Sequence, residues 1–110
     1  SEGRILNIVD WRALRPGADH LPYTISKAGL AALTRSLAAA LGPRIIVNAV
    51  ALGAILPPAD GGETESILQA VPSGRWAELH EVQETAVFLL GGPGYIVGEI
   101  IHLDGGRHLI

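Results

Sequence analysis

The apolar positions of this chain fall into blocks with two different periods. Arg4-Ile5-Leu6-Asn7-Ile8-Val9, bounded by Gly3 and Asp10, is short, branched and nearly continuous in apolar character, which predicts a buried strand. Trp11 to His20 carries Pro16-Gly17 and several charges and reads as a loop. From Leu21 to Leu41 the period changes. Leu30, Leu33, Leu37 and Leu41 recur at three- and four-residue steps in an Ala/Leu-rich stretch, the mark of a helix. Pro22 suits its first turn, where a missing N–H costs nothing, and Gly42-Pro43 stops it. Arg44 to Ala51 predicts a second buried strand, and Leu52 to Gly62 a long irregular loop of the kind that often carries function. Glu63 to Val71 predicts a short helix closed by Pro72, and Leu79 to Leu90 an amphipathic one. Gly91-Gly92-Pro93-Gly94 is a turn, and Tyr95 to Leu103 a third strand ended by Asp104-Gly105-Gly106.

The order strand–helix–strand–helix–strand, with apolar strands and helical crossovers, implies an α/β fold with a parallel sheet. Both crossovers are expected to be right-handed. Three strands make a thin sheet, and the first leaves an edge of unpaired backbone groups.

The bulk numbers narrow the function. With 110 residues, 48% hydrophobic and 17% charged, the chain can build one compact unit with a real core. A net charge of -3 and the lack of a basic stripe argue against nucleic acid as a partner. No apolar run reaches membrane-spanning length, so no membrane role is expected. The absence of cysteine removes disulfides and thiolate–metal sites and suits a cytoplasmic protein. His20, His80, His102 and His108 show no metal-ligand spacing, so scattered histidines and no metal are expected. The chain contains no methionine and enters a core strand within a few positions of Ser1, so it is expected to be cut from a longer domain.

Tyr23 and Lys27 stand four residues apart at the start of the long helix, which puts both on one face. A cation beside a phenol favours the phenolate and lowers its pKa, as proton transfer near neutral pH requires. The pair does not stand alone. Gly3-Arg4-Ile5-Leu6-Asn7-Ile8-Val9-Asp10, Tyr23-Thr24-Ile25-Ser26-Lys27-Ala28-Gly29-Leu30, Ile46-Val47-Asn48-Ala49-Val50-Ala51 and Leu103-Asp104-Gly105-Gly106 occur in an order and spacing that resemble the second half of the short-chain dehydrogenase/reductases. The resemblance covers essentially the whole chain. It implies a partial Rossmann-like, doubly wound parallel sheet of three strands and two main helices. It also implies Tyr23 and Lys27 as catalytic and cofactor-binding residues, a small-molecule substrate, and a homodimer or homotetramer for the complete protein.

That family normally has a serine thirteen residues before the tyrosine; here the position is Asp10. A hydroxyl can donate to a ketone oxygen, whereas an ionised carboxylate only accepts. It would also raise the pKa of a nearby phenol, against Lys27. A carboxylate suits a substrate that presents N–H donors, such as an amidine-like ring. Asn7-Ile8-Val9-Asp10 and the loop Gly53-Ala54-Ile55-Leu56-Pro57-Pro58 resemble the pteridine reductases and dihydromonapterin reductases. The resemblance then implies NADPH-dependent reduction of a C=N bond in a dihydropterin or dihydrofolate, with NADH left open. The structural alternative for Asp10 is an N-cap.

Gly53 and Ile55 match positions that hold the nicotinamide amide in the family, and Trp11 is placed to wall a flat substrate ring. A threonine that often meets the pyrophosphate is Pro57 here, which puts that contact in doubt. Arg12 and Arg15 are read as solvated, with a substrate carboxylate as the other possibility. No Gly-rich phosphate loop occurs between a strand and a helix, so this segment by itself is expected to be inactive and prone to self-association. Two other functions compete: a carbonyl or alcohol oxidoreductase such as a 3-oxoacyl-carrier-protein reductase, and a non-catalytic interaction module.

Overall fold

The structure, a computed structural model, describes residues 2–55 and 64–110. Three strands form one parallel sheet in the order β1 (Gly3–Asp10), β2 (Ile45–Leu52), β3 (Ile100–Leu103). β1 pairs with β2 from Gly3 opposite Ile45 to Asp10 opposite Leu52, and β2 with β3 from Ala49 opposite Ile100 to Leu52 opposite Leu103. The central strand is buried from Ile46 to Ala51, which is why it reads as an apolar run interrupted only by Asn48. β1 is the sheet edge, with Ile5 and Ile8 exposed.

The long helix α1 (Leu21–Leu41) and the later helix α3 (Leu79–Gly91) cover opposite faces of the sheet. Successive strand residues point to opposite faces. Asn7 donates to Thr34 Oγ1 on α1 at 2.9 Å, and Val9, Ala49, Ala51 and Ile100 form one core with Ala13, Ala31 and Leu30. These residues share a face. Arg4, on the other face, donates to the Leu89 carbonyl of α3 at 3.2 Å. The alanines at the first contact let the helix approach closely. Each fully buried valine, such as Val9 or Val47, contributes about 1.5–3 kcal/mol through removal from water.

Helices on both faces make the sheet doubly wound, and this overturns one expectation. Both crossovers advance in the same direction along the sheet, so helices on opposite faces give them opposite hands, and they cannot both be right-handed.

A second correction concerns β3, which is shorter than the apolar run Tyr95–Leu103 predicts. Gly98 turns through a left-handed conformation (φ 74°), and Tyr95 is fully exposed. The segment is tied to β2 by two backbone bonds, from the Gly98 N–H to the Val47 carbonyl and from the Ala49 N–H to the Glu99 carbonyl, both at 2.8 Å, and by buried Asn48, whose Nδ2 donates to the Ile96 carbonyl and whose Oδ1 accepts the Glu99 N–H, both at 2.9 Å. The expected short helix is α2 (Thr64–Gln69). Glu63 and the loop residues Leu56, Pro57, Pro58, Gly61 and Gly62 lie outside the described residues. α3 starts with a reciprocal capping box between Glu78 and Glu81, and Glu81 also receives a two-pronged contact from Arg75 at 2.8 and 3.1 Å. Among the described residues no helix is long and apolar enough to cross a membrane.

Candidate active site

The carboxyl end of β1 and the first turns of α1 bring the expected pair and Asp10 together. Asp10 ends the strand, and its Oδ1 accepts the Arg12 N–H at 2.9 Å, capping a short 3-10 turn at Trp11–Ala13. Its other oxygen accepts the Tyr23 hydroxyl proton at 3.4 Å. The cap and the partner to the phenol are therefore two uses of one carboxylate. His20, the residue before α1, adopts a left-handed backbone (φ 52°) and accepts the Thr24 N–H at 2.8 Å. That conformation is uncommon outside glycine and lies one turn from the phenol.

Lys27 stands beside Tyr23 on the same helix face, with its Nζ 5.7 Å from the ring centre and donating to the Ile8 carbonyl at 3.3 Å. The expected electrostatic effect does not follow from this arrangement. The Tyr23 phenol is held above its ordinary value, by desolvation first and then by the charge and hydrogen bond of Asp10; the opposing influence is Arg12, not Lys27. The physical reason is position. The Lys27 ammonium is engaged with a strand carbonyl, while the Asp10 carboxylate meets the phenolic oxygen itself.

Beside Asp10 a cleft of about 390 Å³ opens between the strand ends. Asp10, Trp11, Arg12, Gly53, Trp76 and Arg107 are among its walls. Trp11 is one wall of this cleft. Its indole is crowded by guanidinium groups rather than open, with Arg107, Arg12 and Arg15 at 4.3, 5.1 and 5.8 Å from the ring centre. Gly53 donates its N–H to the Leu103 carbonyl at 3.1 Å, and a Cβ on it would come within 2.6 Å of the Asp104 Cβ. Close backbone packing therefore already demands this glycine. Ile55 is half-buried and is the last described residue before the break.

Trp76 and Arg107 carry no motif and were not anticipated as cleft residues. The available signal for Arg107 was its place just past a parallel strand's carboxyl end, the side of such sheets where ligands bind. The histidines are also less scattered than expected. His102 and His108 stack with ring centres 3.8 Å apart, and His108 Nδ1 lies 2.8 Å from the buried Asp104 carboxylate. Asp104 also accepts the N–H groups of Gly106 and His108, each at 3.0 Å, so its oxygens are engaged in closing the turn after β3. His102 is held below its usual pKa by burial first and by the neighbouring His108 second.

The parallel, doubly wound sheet thus brings a Tyr–Lys pair and a carboxylate to the carboxyl end of one strand. Comparison with known proteins gives the family. The profile described as enoyl-(acyl carrier protein) reductase matches residues 1–108. The chain is 40% identical over 110 residues to carbonyl reductase family member 4 of Danio rerio, covering 98% of this chain and 46% of that protein. It is 38% identical over 110 residues to the 3-oxoacyl-[acyl-carrier-protein] reductase FabG of Aquifex aeolicus, covering 94% and 44%. Among solved structures, the FolM alternative dihydrofolate reductase 1 from Brucella canis, complexed with NADP, superposes with a TM-score of 0.88 at 40% identity, covering 100% of this chain and 43% of that one. The chain belongs to the short-chain dehydrogenase/reductase superfamily, and it spans less than half the length of these relatives.

Proposed function

We propose that the protein containing this chain is an NADPH-dependent reductase of a dihydropterin or dihydrofolate C=N bond. The observation that carries the reading is the Tyr23 hydroxyl hydrogen-bonded to Asp10. A serine at that position would suit a carbonyl oxygen. A carboxylate suits a ring that offers N–H groups, and it keeps the phenol protonated, as a proton donor must be. The 40% identity to a structure whose name includes dihydrofolate reductase supports the same reading.

The donor set fits a dinucleotide. Lys27 has three N–H donors, one of which meets Ile8, and the other two have no partner among the described residues, so they are available for cofactor hydroxyls. Gly53 supports the fit less, because its missing side chain already makes room for Asp104. When bound, NADPH supplies the hydride. On this chain Asp10 accepts substrate N–H bonds and fixes the ring, Tyr23 gives its proton to a ring nitrogen, and Trp11 and Trp76 wall the ring from water. The complete protein acts in solution as a homodimer or homotetramer, with the exposed apolar residues of α1 and α3 as contact surfaces.

NADPH oxidation by the full-length gene product, followed by absorbance with a dihydropterin and separately with an acetoacetyl thioester, tests this. Faster turnover of the dihydropterin, lost in Asp10→Ser, supports it. Turnover of the thioester alone, retained or raised in Asp10→Ser, sinks it and favours the carbonyl reductase reading suggested by the FabG relative.

A further inference from the structure

Among the described residues, the guanidinium groups around Trp11 have little to neutralise them. The Arg12 guanidinium makes one ion pair among the described residues, with Asp19 at 3.9 Å, and that carboxylate is largely in solvent. Arg107 donates to a main-chain oxygen of Ile110 at 2.8 Å. Arg15 lies 5.8 Å from the indole, with no acidic partner among the described residues. Three like charges gathered on one ring repel one another, and the negative face of the indole offsets only part of this. Arg12 and Arg107 line the cleft that holds Asp10 and Trp76. With Arg15 and the carboxylate Asp19 they also line an adjoining hollow of about 250 Å³ that shares the Trp11 wall. Two adjoining hollows that share Trp11, Arg12 and Arg107 thus place a carboxylate that accepts N–H bonds near a triple-cation patch backed by an indole.

We propose that Arg107, Arg12 and Arg15 bind the anionic tail of the substrate. The preferred substrate is then a dihydropterin bearing a carboxylate-terminated substituent, of the dihydrofolate kind, rather than one with a neutral side chain. The inference rests on the pterin reading of Asp10 and adds selectivity in the adjoining hollow. Arginine suits the task because its planar fork pairs with a carboxylate while its face stays on the indole.

The test is steady-state kinetics of the full-length gene product with dihydrofolate and with dihydrobiopterin, whose side chain is uncharged. Arg107→Gln and, separately, the exposed Arg15→Gln should each raise KM for dihydrofolate about tenfold, the effect of losing about 1.4 kcal/mol of binding. kcat and the dihydrobiopterin KM should stay within about twofold, and Arg107→Lys should recover part of the loss. Equal changes for both substrates, or a rise confined to the NADPH KM, would overturn the proposal, the second by assigning the patch to a cofactor phosphate. If the unmodified enzyme reduces neither dihydropterin, the reading of Asp10 fails and takes this inference with it. If it reduces both and the variants lose no selectivity, only the inference fails.

Discussion

Gly53→Ala separates two roles that the sequence alone could not. The family resemblance puts Gly53 at the cofactor. The structure sets its α-carbon against the turn after β3, where an added Cβ would meet the Asp104 Cβ at 2.6 Å and the Asp104 Cα at 2.8 Å. Ordinary contact needs about 0.8 Å more. Asp104 cannot yield by a rotamer change, since the clash is with its Cα and Cβ, and its carboxylate is fixed by two N–H groups and His108. The substitution must therefore push apart the ends of β2 and β3. Overpacking of this kind costs about 1–3 kcal/mol. In a chain of 150–250 residues each kcal/mol lowers Tm by about 2–4 °C, so the expected loss is about 2–12 °C. Differential scanning calorimetry of the full-length protein without cofactor is the assay, beside Gly3→Ala, where an added Cβ meets nothing within 4 Å. The control should change stability by less than about 0.5 kcal/mol. An unchanged Tm for Gly53→Ala with a raised NADPH KM would refute the packing argument and restore the cofactor role.

Asn48→Ala leaves the Ile96 carbonyl and the Glu99 N–H without their partner, so it should cost about 2–4 kcal/mol in urea unfolding and loosen hydrogen exchange at Glu99. The Tyr23 phenol is raised by desolvation first and by the Asp10 charge second, so Asp10→Asn should bring tyrosinate absorbance to lower pH than in the unmodified protein while leaving part of the rise; an unchanged midpoint would remove Asp10 as a contributor. Glu81 is held down to about 2, chiefly by Arg75, so the stability it contributes is present above its ordinary value of 4.5 and lost as pH falls toward about 2. Glu81→Gln should flatten that part of the acid-unfolding curve.

Local patterns carried most of the fold. β1, α1, β2 and α3 follow directly from apolar period and Gly/Pro punctuation, because each is decided by its own residues and the layer it covers. The third strand was overread for the complementary reason. Tyr95–Glu99 is apolar enough for a strand, but its backbone pairs with the side chain of Asn48, half the chain away. The same limit applies at the site. Asp10, Tyr23 and Lys27 were legible because they sit on one strand–helix unit with a recognisable spacing. Trp76 and Arg107 come from later segments and join the cleft only through the tertiary fold. The helix faces were the third surprise, since crossover hand is a property of how strands are placed and leaves no mark on hydrophobic period.

The site residues are divided unevenly along the chain. Asp10, Tyr23 and Lys27 lie within a single β–α unit, whereas the far wall of the cleft is supplied after β2 and after β3. On the proposed reading, the segments assigned the proton chemistry are thus distant in sequence from those assigned the rest of a substrate. Loops beyond the strand ends can change length or charge without disturbing the geometry of the phenol and its carboxylate. If the proposed reading holds, such an arrangement lets substrate range drift quickly while the phenol and its carboxylate stay fixed, and grafting the late segments of one relative onto the early segments of another would exchange preference without rebuilding the reaction.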